Sequence, residues 1–353
     1  MREEAEQKIK VGGAGATGYV GPGRCRLIMK HPKLSLQMAG SRRYAETGLA
    51  DYHPAFRGLT DLVLSDAPPE AFAEACDVVI TALPHGVSGA WVKKMYKEDV
   101  ILLDHSGDFR FRELADYEAA YKLEHPCPEL LEEAVYGLPE QYREELKRAK
   151  LIANPGCYPT CSLTVLVPLI REGLIRSERV IVDAYSGTSG AGRKADPVYG
   201  FSEMSENLKP YGVRSHRHQA EIKDQLARLC TKEIPVVFTP HLAPLRRGML
   251  ASIYADLAPG VTQDDLLTVL NTYYKDDPFV RVLPGTLLPQ TRPLIGQNFV
   301  DITAVADEAT STVKLFSALD NLGKGAASQA IQSLNIRLGF AETEGLDPLP
   351  EVI

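Results

Sequence analysis

Nine residues near the start of the chain, G-A-G-A-T-G-Y-V-G at positions 13–21, restrict the fold more than any other segment. They follow an apolar run at 8–11, and glycine recurs where a backbone turning from strand into helix must lie close to another group. Two registers fit, G-x-G-x-x-G from Gly13 and G-x-x-G-x-x-G from Gly15. Both put unsatisfied N–H groups at a helix N-terminus, where the dipole favours a pyrophosphate. The plain alternative is a tight turn without a ligand. Against it stands the alternation that follows: apolar runs at 34–39, 78–82 and 100–103, with helical patterns at 21–30, 69–76 and 86–95, which predicts βαβ units and a parallel sheet. The second run ends in Ala39-Gly40-Ser41-Arg42-Arg43. An acidic residue there would accept from ribose hydroxyls; a hydroxyl and two arginines favour the 2′-phosphate of NADP, unless they form a plain solvated loop.

From residue 180 the reading changes. Runs at 180–184, 236–239, 249–256 and 299–305 predict a second sheet, 187–212 reads as loops, and 315–339 reads as one long helix broken by Gly323-Lys324-Gly325. The 353 residues, 44% hydrophobic and 24% charged, suffice for two cores. A net charge of −7 with scattered Lys and Arg argues against nucleic acid or an anionic membrane as partner. No apolar run has the length of a membrane span and the first residues lack a signal-peptide core, so the expectation is a cytoplasmic protein. Six scattered cysteines show no zinc spacing and no disulfide pattern, so neither a metal nor a disulfide is expected.

Cys157 differs from the other five. It lies in Asn154-Pro-Gly-Cys-Tyr-Pro-Thr160, just before the apolar stretch 162–170, which can only be a mostly buried helix. A thiol at such an N-terminus is stabilised as thiolate by the dipole, and the free N–H groups there can hold an oxyanion. Cys25, Cys76, Cys127, Cys161 and Cys230 read as inert small hydrophobes. A thiol nucleophile needs a base, and the close histidine pair is His216-Arg217-His218, with Glu221 three residues on. An extended segment points both rings to one side; a helical one separates them by about 200°.

Taken together, G-A-T-G-Y-V-G, S-R-R at 41–43, A-L-P-H-G at 82–86, S-G-D-F-R at 106–110, N-P-G-C-Y-P-T at 154–160, S-G-T-S-G-A-G-R at 186–193, H-R-H at 216–218 and D-N-L-G-K-G-A-A at 320–327 resemble the N-acetyl-gamma-glutamyl-phosphate reductase family of the semialdehyde dehydrogenase superfamily. The likeness keeps its order along nearly the whole chain. It implies an α/β fold: a Rossmann-type parallel-sheet domain binding NADP, 1–156 with 315–353, and an α+β catalytic and oligomerisation domain, 157–314. It also implies NADPH-dependent reduction of an acyl phosphate, in arginine biosynthesis, through a thioester on Cys157, by a homodimer or homotetramer. On this basis Gly15, Ala16, Thr17, Gly18, Tyr19, Val20 and Gly21 would hold the pyrophosphate, Ser41 and Arg42 the 2′-phosphate, and Leu83, Pro84 and His85 the adenosine side. Asn321, Gly323, Lys324 and Gly325 would approach the nicotinamide. Arg110, Ser186, Gly187, Arg193 and Lys209 would meet substrate anions. His218 is the preferred acid/base, with His216 holding substrate or assisting and Glu221 orienting a ring; the two histidines can exchange roles in this reading.

The chain departs from the family pattern in a glycine-weakened first strand, Lys10-Val-Gly-Gly-Ala, in Pro22-Gly23 just after the turn, in Cys161, and in Gln219-Ala220 before Glu221. Gly23 loosens its helix by up to about 1 kcal/mol relative to Ala. The competing substrates are aspartyl phosphate and a carrier-bound aminoadipyl phosphate. Aspartate-semialdehyde dehydrogenases place a histidine after an arginine in a later strand, and Leu245-Arg-Arg-Gly-Met here has none. A nucleotide-binding regulator without turnover is the reading from another class, and intact Cys157, His216 and His218 speak against it.

Overall fold

The computed structural model describes residues 7–346 apart from 177, 194 and 195. They form two compact units: one takes the chain up to Pro155 and resumes for Ala327–Leu346, the other is Gly156–Ala326.

The first unit is built on seven parallel strands: β1 (Ile9–Ala14), β2 (Leu34–Gly40), β3 (Leu64–Ser65), β4 (Val78–Thr81), β5 (Ile101–Asp104), β6 (Ala134–Tyr136) and β7 (Leu151–Ala153), in the order β3-β2-β1-β4-β5-β7-β6. Helices cover both faces, so β4 and β7 are buried along their whole length, as parallel sheets require. The expected strands and helices lie within a residue or two of the observed ones except that β1 runs three residues further, to Ala14; β3, β6 and β7 were not expected, and the weak first strand has a packing reason. A Cβ on Gly12 would lie 2.9 Å from the ring of Phe72, which fills that space from the Pro69–Ala75 helix.

The end of the chain corrects the sequence reading. Residues 315–339 are not one helix: Thr312–Leu319 is a strand, Gly323–Ala327 a π-turn, and only Ser328–Leu338 an α-helix. In T-V-K-L-F-S-A-L the inward side chains recur every second residue, with Val313, Leu315 and Ser317 buried, a period that suits a strand. The return to the first unit therefore comes at 327 rather than 315; residues 1–6 and 347–353 of the expected first domain lie outside the described residues. The returning helix is buried from Ser328 to Ile336 despite its polar content, because the first unit supplies the hydrogen-bond partners. Ser333 donates to Gly137 O, Gln332 to Glu140, and Arg337 Nε to Ala149 O at 2.6 Å.

The second unit carries a mixed sheet of β8 (Val180–Gly187), β9 (Lys209–Pro210), β10 (Val236–Ala243), β11 (Met249–Asp256), β12 (Val280–Val282), β13 (Val300–Asp307) and β14 (Thr312–Leu319), ordered β12-β13-β14-β11-β8-β10-β9. The Cys157–Arg171 helix packs against this sheet and is buried from Tyr158 to Ile170. Pro168 cannot donate to Thr164 O one turn back, and Tyr274 Oη donates to that carbonyl instead. Segment 187–212 is mostly turns, as expected, with a short helix at Phe201–Met204 and the edge strand β9.

Candidate functional site

In the first unit the register brings the C-terminal ends of β2, β1, β4, β5 and β7 into line: Ala14 pairs with Gly40 and Thr81, Thr81 with Asp104, and Asp104 with Ala153. Every segment named for the cofactor at 15–21, 41–42 and 83–85 leaves from this edge, where open parallel sheets bind ligands. The turn fits a pyrophosphate because no side chain can stand in it. Gly15 has φ +81°, and a Cβ there would lie 2.3 Å from Ala82 O; one on Gly21 would lie 2.2 Å from Ala16 O. The N–H groups of Gly15 and Ala16 both donate to Gly40 O, tying the turn to β2. Thr17 Oγ1 is 3.0 Å from Ser41 Oγ, His53 Nε2 is 3.1 Å from Ala16 O, and Arg42 is exposed beside them.

Beyond β4 the same edge is held by two carboxylates that the sequence reading passed over. Asp108 accepts from the N–H groups of Gly86 and Gly89 and from Tyr117 Oη, anchoring the start of the Val87–Met95 helix. Buried Asp104 accepts from Thr81, Ser88 and Ser106, and burial, then the charge of Asp108, push its carboxyl above the usual range. His85 is bound into this loop: its Nδ1 accepts from Gly107 N, and its ring packs 4.5 Å from that of Tyr121.

In the second unit Cys157 is the first residue of a 15-residue helix, with Gly156 as N-cap. The thiol is half-buried, whereas Cys161, one turn along, is fully buried and directed at Ser317. The Arg217–Cys230 helix brings two side chains three residues apart onto Gly156. Glu221, fully buried, accepts from Gly156 N at 2.8 Å, and the ring of His218 covers the other side, so that a Cβ on Gly156 would stand 2.6 Å from Nε2. The hydrogen bond from Gly156 N to Glu221 fixes the turn that carries the thiol.

The histidine pair is neither extended nor within one helix. His216 is the N-cap of the Arg217–Cys230 helix, at φ −71° and ψ 118°, and its Nδ1 accepts from His218 N at 3.2 Å. Because an N-cap keeps β-region angles, helical divergence does not apply, and the two rings lie 4.9 Å apart. Tyr158, Tyr211 and Phe238 enclose His216. Burial, and then the charge of Arg217, push its pKa down to about 4, so it is a neutral ring at ordinary pH.

The third element is the turn after β14. Gly325 lies against Cys157, a Cβ there being 2.8 Å from that of Cys157. Asp320, missed in the sequence, organises this turn: fully buried, it pairs with Arg247, accepts from Gly296 N and Leu322 N, and its carbonyl takes the N–H groups of Gly323 and Gly325. Its signal was the D-N-L-G sequence itself, a capping residue before a glycine turn. Asn321, expected beside a nicotinamide, bridges Ser189 Oγ and Gly248 N, and Lys324 is fully buried.

The residues named for substrate anions are divided between the two units. Leu242 pairs with both Ser186 and Lys209, which puts those two and Gly187 at one end of the second sheet; Ser186 is buried, its Oγ donating to Gly187 O. Arg193 is exposed on the following loop. Arg110 belongs to the first unit, nearly buried, where Nε donates to Asn154 O at 2.8 Å and Nη2 to His105 O at 2.9 Å. Among the described residues no group of three or more His, Cys, Asp or Glu could hold a metal, and no helix is long and apolar enough to cross a membrane.

Two family models match the chain: the semialdehyde dehydrogenase NAD binding domain over residues 10–149 and the semialdehyde dehydrogenase dimerisation domain over 157–321. A parallel dinucleotide-type sheet and a mixed-sheet unit carrying a helix-terminal cysteine thus define an oxidoreductase of the semialdehyde dehydrogenase class. Among its relatives, the N-acetyl-gamma-glutamyl-phosphate reductase of Acetivibrio thermocellus is 44% identical over 336 residues, covering 95% of this chain and 97% of its own. That of Symbiobacterium thermophilum is 44% identical over 339 residues, with 96% and 97% covered. The chain belongs to the N-acetyl-gamma-glutamyl-phosphate reductase family. Solved structures share the fold at lower identity. Aspartate semialdehyde dehydrogenase II from Vibrio cholerae matches with TM-score 0.73 at 17% identity, over 94% of this chain and 99% of that one. Aspartate semialdehyde dehydrogenase with NADP from Candida albicans matches with TM-score 0.70 at 18%, over 94% and 98%.

Proposed function

We propose that the protein reduces N-acetyl-gamma-glutamyl phosphate to N-acetylglutamate semialdehyde and phosphate with NADPH, as a step of arginine biosynthesis. The observation that carries the chemistry is Gly156: the residue before the thiol is held by Glu221 on its N–H and covered by His218, which joins nucleophile and base through one rigid turn. The substrate rests on the relatives' printed name, at 44% identity over 95% of the chain.

In this reading His218 takes the proton of the Cys157 thiol and the sulfur attacks the acyl carbon. N–H groups of the first helical turn, which have no intrahelical partner, face the oxygen that gains charge. The acyl–phosphate bond breaks, His218 returns the proton to the departing phosphate, and a thioester remains on Cys157. NADPH, which the glycine turn at 15–21 with Ser41 and Arg42 would hold, would supply the hydride that takes the thioester to the aldehyde level. Cys157 then leaves as thiolate and is reprotonated from solvent through His218, so one proton is consumed per turnover. Neutral His216 acts as the cap that fixes His218 in place. Lys209 and Arg193 remain the cations for substrate anions, while Arg110 supports the Asn154 backbone. The preference for NADPH over NADH is supported by the Thr17–Ser41 pair, by exposed Arg42 and by the absence of an acidic residue at 39–43. A homodimer is the expected assembly, in keeping with the dimerisation-domain match, and light scattering reads it.

The test follows phosphate-dependent NADP reduction with N-acetylglutamate semialdehyde, in parallel with aspartate semialdehyde and with NAD, for the wild type and Cys157→Ser. Activity confined to the acetylated substrate and NADP, and lost in Cys157→Ser, is the expected result. Activity only on the aspartyl compound would overturn the substrate and leave the mechanism standing.

A further inference from the structure

Arg24 has no part in the chemistry above, yet it is fully buried in the first unit. It projects from the Val20–Lys30 helix back beneath the strand ends, where Nη2 donates to Ala14 O at 3.0 Å and Nη1 to Ile80 O at 3.1 Å. Nε, also buried, has no partner among the described residues. Both hydrogen bonds go to neutral carbonyls, and among the described residues no carboxylate pairs with the guanidinium; Cys25, whose charge would favour it, is a buried thiol held neutral by its own burial. The field of Arg24 reaches along the same strand ends, since it, with Arg110, adds to the burial that keeps His105 neutral. Gly13 is bare because the guanidinium fills that space, a Cβ there being 2.9 Å from Nη2.

A buried cation without a counter-ion is among the most unfavourable arrangements a folded chain can hold. Its position names the missing anion. The carbonyl Arg24 holds belongs to Ala14, the residue before Gly15, so the charge stands one peptide behind the turn that is open to a pyrophosphate.

We propose that Arg24 is the built-in countercharge of the dinucleotide pyrophosphate, acting through the floor of the glycine turn. The proposal rests on the dinucleotide-binding reading of that turn and adds how the anion is neutralised. Three consequences distinguish it from a structural strut. Removing the charge weakens NADPH and NADH equally, since both carry the pyrophosphate and only one the 2′-phosphate. The free protein gains stability, because an uncompensated buried charge is gone. Added salt changes this contribution little, as the buried cation is poorly screened.

The experiment compares full-length wild type, Arg24→Met and Arg24→Lys. Free-protein melting is measured, and NADPH and NADH are titrated through quenching of intrinsic fluorescence, to which Trp91 is the single tryptophan. For Arg24→Met the expected result is a melting temperature at or above wild type, with both Kd values raised about tenfold at an unchanged ratio. Arg24→Lys, keeping the charge, stays close to wild type in binding. Wild-type affinity in Arg24→Met, a loss confined to NADPH, or a Met chain that melts lower or does not fold would each overturn the proposal. A wild type that binds neither dinucleotide would remove the reading of the turn itself, and the proposal with it.

Discussion

Gly156→Ala is the substitution that most directly tests how the thiol and its histidine are joined. The backbone there has φ −68° and ψ 149°, which alanine adopts freely, so the change introduces no backbone strain. What it introduces is a methyl group 2.6, 2.8 and 2.9 Å from Nε2, Cε1 and Cδ2 of His218. Carbon contacts are favourable from about 3.5 Å, so the ring must retreat by roughly 0.8 Å or leave its rotamer. Misplacing a catalytic group by about 1 Å lowers turnover about a hundredfold, and a fall in kcat of that size is expected. Stability should move little. Alanine restricts the unfolded chain, a gain of about 0.4–1 kcal/mol, while a displaced ring and a poorer N-cap lose a comparable amount. The expected melting temperature is within about 4 °C of wild type. The assays are steady-state reduction, thermal unfolding, and iodoacetamide labelling of Cys157 to verify that the thiol is still presented. An unchanged kcat with unchanged unfolding would refute the assignment of His218 as acid/base.

Gly15→Ala places a side chain at φ +81° and 2.3 Å from Ala82 O, so the turn must open: dinucleotide titration should show no saturable binding, while Cys157 labelling continues at the wild-type rate. Retained dinucleotide affinity would mean that the turn is not the pyrophosphate site. Gly23→Ala meets only ordinary contact, 3.8 Å from Ala327 Cβ, and should stabilise the first unit by up to about 1 kcal/mol in urea unfolding; a loss would show that the helix needs glycine there. His216, pushed down to about 4 from an ordinary 6.5, remains neutral in the folded chain while the unfolded chain binds a proton. Its contribution is therefore complete above pH 6.5 and lost as pH falls towards 4, with Arg217, His218, Tyr158 and Tyr211 around it. His216→Asn, which keeps an N-cap acceptor, should flatten that acid limb of the melting curve and retain kcat at neutral pH, whereas His216→Ala should lose kcat; equal losses in both would assign the ring a proton-carrying role.

The parallel sheet was legible because its signals are local: apolar runs of strand length, a glycine turn after the first, and helical periods between them. The strand at Thr312–Leu319 was misread because an eight-residue run with alternating Val, Leu and Ser can continue into the helical pattern at 328. What separates them is Asp320, whose carbonyl takes two N–H groups and whose carboxylate pairs with Arg247, a residue 73 positions away. No sequence window contains that pair. The Rossmann-type unit has the same character at its return, where a helix as polar as Ser328–Leu338 is buried because Gly137, Glu140 and Ala149 offer partners that sequence alone does not reveal.

The functional side chains divide along the same line. Residue type and spacing place Cys157 at a helix N-terminus, as the structure has it, because that position belongs to the element itself. They do not identify what a long side chain will reach. Arg110 and Glu221 both looked like groups for ligands or rings, and in the structure both bind backbone on either side of Pro155: Arg110 takes Asn154 O in the first unit, and Glu221 takes Gly156 N in the second. Buried charges suit this task, since a charge-assisted hydrogen bond is roughly twice as strong as a neutral one. Each side of Pro155 is thus held within its own unit, Asn154 by Arg110 and Gly156 by Glu221. It follows that Glu221→Gln, which keeps the acceptor and removes the charge, should loosen Gly156 and lower kcat while leaving dinucleotide affinity untouched. A rise in Kd for the dinucleotide instead would mean that the clamp serves the cofactor.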